Sequence, residues 1–131
     1  MITAEKSKIL VVEDNKIISM ELKQRLKNMG YEVSSVVNSG EDAVERATEE
    51  FPDLVLMDIQ LKGKMDGIEA ADRIHYLLNI PVVYLTAYSD DVTYERAQAT
   101  GPYGFIVKPF EEHNLHATIE SSLYKHRLGT S

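Results

Sequence analysis

The sequence predicts an α/β fold, a doubly wound parallel sheet of five strands with five helices. Short apolar runs recur along the 131 residues, at 8–12, 31–37, 54–57, 81–85 and 103–107. Between them the apolar residues change to helical spacing. The connections are short, so successive strands joined through a helix must run parallel, with helices over both faces.

Each element has its own warrant. Lys8-Ile9-Leu10-Val11-Val12 is an apolar run of strand length. Ile18, Leu22, Leu26 and Met29 then form one helical face, and Gly30 ends it. Residues 31–37 alternate only in part, which suits a strand near an edge of the sheet. Ser39 followed by Glu41 and Asp42 opens a second helix with a cap and early acids. Val44, Ala47 and Phe51 are its expected inner stripe. Leu54-Val55-Leu56-Met57 is unbroken by polar residues, as in a strand buried on both faces. Asp66-Gly67 precedes a third helix with Ile68, Ala71, Ile74 and Leu78 on one side. Pro81 is tolerated at the first position of the fourth strand. Ser89-Asp90-Asp91 caps a fourth helix whose apolar content (Val92, Ala97, Ala99) is thin, so it is expected to be the least firmly packed. Gly101-Pro102 breaks it, residues 103–107 form the fifth strand, and Leu115, Ile119 and Leu123 face inward from the last helix.

One domain of ordinary size accommodates this length. The expected boundaries are an N-terminal extension at 1–7, the domain at 8–124, and a polar tail or start of a linker at 125–131. Cysteine is absent, which removes disulfides and thiolate metal sites. A net charge of −7 argues against a nucleic-acid-binding surface. No apolar run approaches the roughly 20 residues that cross a bilayer, so no membrane contact is expected.

Chemistry concentrates at strand ends. In an open α/β sheet, ligands gather outside the carboxyl ends of the strands. Asp58 follows the central apolar run, Glu13-Asp14 follows the first strand, Leu85-Thr86 ends the fourth and Lys108 follows the fifth. Three carboxylates at one rim repel unless a cation lies among them, and a hard ion such as Mg²⁺ takes that kind of oxygen set. Asp14 equally suits a cap for the helix that follows it. Lys108 is either a surface lysine or an ammonium aimed at Asp58. The Lys108-Pro109 pair invites a cis peptide.

Together these segments resemble the receiver domain of bacterial-type two-component response regulators, from about Lys8 to Leu123. The matching segments are Ile9-Leu10-Val11-Val12-Glu13-Asp14, Leu54 to Asp58, Asp66-Gly67, Leu85-Thr86-Ala87 and Phe105-Ile106-Val107-Lys108-Pro109-Phe110. The resemblance implies a flavodoxin-like architecture with Asp58 as phosphoacceptor. It implies Mg²⁺, with Mn²⁺ as an alternative, held by Glu13, Asp14, Asp58 and the main-chain carbonyl of Gln60. Thr86 and Lys108 would bind the phosphoryl group, and Thr86 and Phe105 would form the switch. Gln60 and Tyr88 would tune hydrolysis. The implied partners are a sensor histidine kinase or phosphotransfer domain and an unidentified effector, with a phosphorylation-dependent homodimer as a further expectation. The implied location is the cytoplasm, and the chain would assist only its own modification rather than act as an enzyme.

Two departures stand out. The family commonly has proline four residues after the acceptor, where this chain has Lys62, and Asp66-Gly67 comes one residue late. The loop is therefore longer and more basic. Two rival readings fit the residues less well. A Mg²⁺-dependent phosphatase-like hydrolase needs an acid two residues after its nucleophile, where Gln60 stands, and a lid for which 131 residues leave no room. A receiver-like interaction module without phosphate control would lack the acceptor or the acids. His113 and His116 read as a solvated helix face, and Glu13-Asp14-Asn15 after the first strand would repel a nucleotide.

Overall fold

The computed structural model describes residues 6–87 and 91–129. Strands and helices alternate throughout: β1 (Lys8–Val12), α1 (Lys16–Asn28), β2 (Glu32–Val37), α2 (Gly40–Glu50), β3 (Leu54–Asp58), α3 (Gly67–Leu78), β4 (Val82–Thr86), α4 (Asp91–Ala99), β5 (Gly104–Val107) and α5 (Glu112–Arg127). All pairings are parallel, in the order β2-β1-β3-β4-β5. The doubly wound, flavodoxin-like expectation is met, and β2 is an edge strand. Strand order changes direction between β1 and β3, the crevice where such sheets bind ligands.

Alternating strand side chains feed two cores. Leu10, Val12, Val55, Met57 and Tyr84 pack with Ala43, Ala47, Ile68, Ile74 and Ala97 from α2, α3 and α4. Ile9, Val11, Leu54, Leu56, Val83 and Ile106 meet Leu22, Leu26, Leu115 and Ile119 from α1 and α5 on the opposite face. Every residue of β3 is buried, as its unbroken apolar run requires.

Local signals explain the helix ends. Ser39 Oγ accepts from the Asp42 N–H at 3.1 Å, capping α2. Asp66 Oδ1 accepts from the Glu69 N–H at 2.9 Å, capping α3. The expected cap residues Ser89 and Asp90 lie outside the described residues.

Two expectations are corrected. Phe51 is not part of the inner stripe of α2, whose buried side chains are Ala43 and Ala47; it closes that helix with a φ of 48° and faces solvent. Residues 125–127, expected in a polar tail, are the last turn of α5. The basic side chains Lys125, His126 and Arg127 suit the negative end of the helix dipole. His126 also bonds the Asn79 carbonyl at 2.8 Å, and its ring meets Tyr103 edge-on. Among the described residues no helix is long and apolar enough to cross a membrane.

Candidate functional site

Register brings the expected residues to one rim. Val12 lies beside Met57, Asp58 beside Leu85, and Thr86 beside Val107, so the residues that follow β1, β3, β4 and β5 emerge together. Glu13 and Asp58 are nevertheless almost fully covered, 2% and 3% exposed.

The helix after β1 is capped by Asn15, not Asp14. Asn15 Oδ1 accepts from the N–H groups of Ile17 (3.0 Å) and Ile18 (3.1 Å). The Asn15 N–H donates to Glu13 Oε2 at 3.1 Å, folding that carboxylate back over the strand end. Asp14 is thereby left without the capping duty that competed with a ligand role. Asn15 was missed in sequence, although an Asn one residue before a helical pattern is an ordinary cap signal.

Lys108 reaches across from β5. Its Nζ lies 2.7 Å from Glu13 Oε1 and 3.2 Å from Asp58 Oδ2. The Lys108 N–H donates to the Thr86 carbonyl at 2.8 Å, its peptide bond to Pro109 is cis, and Arg25 Nη1 donates to the Phe110 carbonyl at 3.1 Å. The Gln60 N–H donates to Asp58 Oδ1 at 3.0 Å.

The electrostatics follow from burying two acids beside one ammonium. Burial pushes the Asp58 carboxyl up to about 7, and the adjoining Glu13 adds to the rise while Lys108 and the Gln60 N–H oppose it. Burial also acts to raise Glu13, but contacts with Asp58, Lys108 and the Asn15 N–H outweigh it and hold Glu13 low. For Lys108, burial favours the neutral form, and Glu13 and Asp58 more than offset it, so its pKa is raised. Carboxylate oxygens of Glu13, Asp14 and Asp58 all lie within 4.8 Å of one another. Glu13 Oε1 is buried without a well-aligned hydrogen bond, facing the ammonium only as an ion pair. An all-oxygen cluster of excess negative charge with an under-satisfied oxygen fits a hard divalent cation.

The family model for the response regulator receiver domain matches residues 9–120. This chain belongs to that family. It is 38% identical over 120 residues to the transcriptional regulatory protein PdtaR of Mycobacterium tuberculosis, covering 92% of this chain but 58% of that protein. This receiver domain thus spans little more than half the length of that relative. The signal receiver domain of a modulated diguanylate cyclase from Desulfovibrio desulfuricans G20 superposes with a TM-score of 0.92 at 35% identity, covering 95% of this chain and 99% of that one. The receiver domain of a sensor histidine kinase from Pseudomonas aeruginosa, solved with magnesium coordinated in its active-site cleft, gives 0.82 at 28% identity, covering 92% and 99%.

In this receiver domain the side chains of the expected switch residues make other contacts. The Thr86 hydroxyl donates to the Ala87 carbonyl at 2.6 Å. Phe105 is half-buried, its ring 5.5 Å from Tyr84 and 4.7 Å from Tyr94. Tyr88 lies outside the described residues. His113 and His116 are exposed on α5. The long loop after Asp58 lies down on α2, so closely that a side chain at Gly40 would come within 2.7 Å of the Met65 carbonyl oxygen. A side chain at Gly67 would collide with the carbonyl oxygen of Asp58 itself. That constraint explains the Gly of the Asp66-Gly67 pair.

Proposed function

We propose that this receiver domain accepts a phosphoryl group on Asp58 from a phosphohistidine of a sensor histidine kinase or phosphotransfer domain. The observation that carries the reading is the Lys108 ammonium, 2.7 Å from Glu13 and 3.2 Å from Asp58 at the rim shared with Asp14. An Asp58 carboxylate oxygen attacks phosphorus, the P–N bond breaks, and its electron pair stays on the imidazole nitrogen. Such a transfer needs alignment and charge neutralisation more than covalent assistance. Glu13, Asp14, Asp58 and the Gln60 carbonyl would hold Mg²⁺ (or Mn²⁺), which would supply part of that neutralisation. Lys108 supplies the rest by exchanging its Asp58 contact for a phosphoryl oxygen.

The Thr86 hydroxyl leaves the Ala87 carbonyl and donates to the phosphoryl group. That local move shifts the loop after β4 and changes the packing of Phe105, so the face made by α4, β5 and α5 alters for an effector or a second copy of the chain. Phe105 has no hydroxyl, so ring packing alone carries its part. Water later cleaves the acyl phosphate, at a rate tuned by Gln60 and Tyr88. The domain would act in the cytoplasm and assist only its own phosphorylation and dephosphorylation.

Intact-mass measurement after incubation with Mg²⁺ and acetyl phosphate tests this. A gain of one phosphoryl group is expected, lost with chelator and in Asp58→Asn. No gain in the wild-type protein would favour an interaction module independent of phosphate, and sustained turnover of an unrelated monoester would favour a hydrolase.

A further inference from the structure

Helix α4 is weakly anchored. Its one fully buried side chain is Ala97. Elsewhere the Tyr94 ring lies against Phe105, and just past its end the Thr100 hydroxyl meets Tyr84 Oη and the Ala97 carbonyl, each at 2.7 Å. A groove of about 450 Å³, lined in part by Gln60, Leu61, Lys62 and Thr93, separates the helix from the loop that follows Asp58. Among the described residues one ion pair spans the two sides: Arg96 Nη2 lies 3.1 Å from Asp66 Oδ2.

Asp66 is not an ordinary surface partner. Its other oxygen caps α3 through the Glu69 N–H, so its side chain is fixed. The next residue, Gly67, abuts the Asp58 carbonyl and donates its N–H to the Ile59 carbonyl at 3.3 Å. The contact chain from the acceptor therefore runs Asp58, Gly67, Asp66, Arg96 and into α4. We propose that the Arg96–Asp66 pair is a clasp that holds α4 in its unphosphorylated position and links it to the acceptor loop, separately from Thr86 and Phe105. What releases the clasp rests on the phosphoacceptor reading; the clasp itself belongs to the unmodified domain. An exposed pair contributes little to a well-buried helix. On a helix with a single buried side chain, a small contribution is a large share of what holds it.

The test is amide hydrogen exchange over residues 91–99 in unmodified protein for Arg96→Gln, Asp66→Asn and the double variant. Asparagine caps as well as aspartate, so Asp66→Asn removes the charge and keeps α3. Each single change should speed α4 exchange about threefold, and the double should add little further, since both remove one interaction. Unchanged exchange in Arg96→Gln, or additive effects, would overturn the clasp. A second arm adds Mg²⁺ and beryllofluoride. The expected gain in α4 exchange is smaller in Arg96→Gln than in wild type, and equal gains would overturn the link to the acceptor. Beryllofluoride failing to bind wild type would sink the phosphoacceptor reading while leaving the first arm to decide the clasp.

Discussion

Lys108 Nζ is closer to Glu13 Oε1 (2.7 Å) than to Asp58 Oδ2 (3.2 Å), so the lysine is held chiefly by an expected metal ligand rather than by the expected acceptor. At the proposed site a divalent ion would therefore compete with the ammonium for the same buried oxygen. Opposite charges this close in a partly buried site interact strongly, and like charges brought together there repel as strongly.

Removing that competitor has opposite effects on two steps. Lys108→Gln should tighten Mg²⁺ binding by about tenfold, near 1.4 kcal/mol, because the cation no longer displaces an ammonium. Phosphorylation from acetyl phosphate should slow by at least about a hundredfold for want of charge on the phosphoryl oxygens. Fluorescence or calorimetric titration reads the first and intact mass the second.

Asp58 gives the site its pH dependence. Its folded pKa, pushed up to about 7 from 3.8, means the metal-free folded chain holds a proton the unfolded chain has lost across that interval. Stability from this group therefore falls as pH rises from about 4 through 7. Glu13 acts the other way, through a lowered pKa, but its contribution is lost only below its ordinary value of 4.5, and that of Lys108 only above 10.5. In chelator, Tm should drop by roughly a few degrees between pH 5.5 and 8, and Asp58→Asn should remove that part of the drop. Mg²⁺ affinity should weaken below pH 7, as the proton occupies the ligand.

Gly67 stands where no side chain fits. Gly67→Ala should destabilise the domain by about 2–3 kcal/mol, because a methyl group must push back the Asp58 backbone. Chemical denaturation measures the loss, and phosphorylation should fall as well, since the displaced backbone carries the acceptor.

Asn15 offers a cleaner dissection. Asn15→Ala should cost about 1 kcal/mol through the lost cap of α1, and Asn15→Asp should restore it. Both variants keep Glu13 and Asp14, so both should still accept phosphate. Denaturation paired with intact mass separates the two effects.

Much of this was legible in the chain itself. The apolar runs marked β1, β3 and β4 because those strands are buried on both faces, where sequence and environment agree. Glu13, Asp14, Asp58 and Lys108 were legible because strand ends fix position without any knowledge of loops. Phe51 misled because a helical spacing does not say where the helix stops; a left-handed closing residue before Pro52 turned it outward. The last turn of α5 was hidden by its polar composition, since it is held by the helix dipole and the His126–Asn79 bond rather than by apolar burial. The Arg96–Asp66 pair joins residues 30 apart across a groove, and no local pattern announces such a contact.

The most direct measurement is phosphoryl transfer from a phosphorylated histidine phosphotransfer protein in Mg²⁺, followed by borohydride reduction of the acyl phosphate and peptide sequencing by mass spectrometry. Reduction at residue 58 alone, absent with chelator, is the expected result. Label at any other residue, or none in the presence of Mg²⁺, would contradict the convergence of Asp58, Glu13, Asp14 and Lys108 on one phosphoacceptor site.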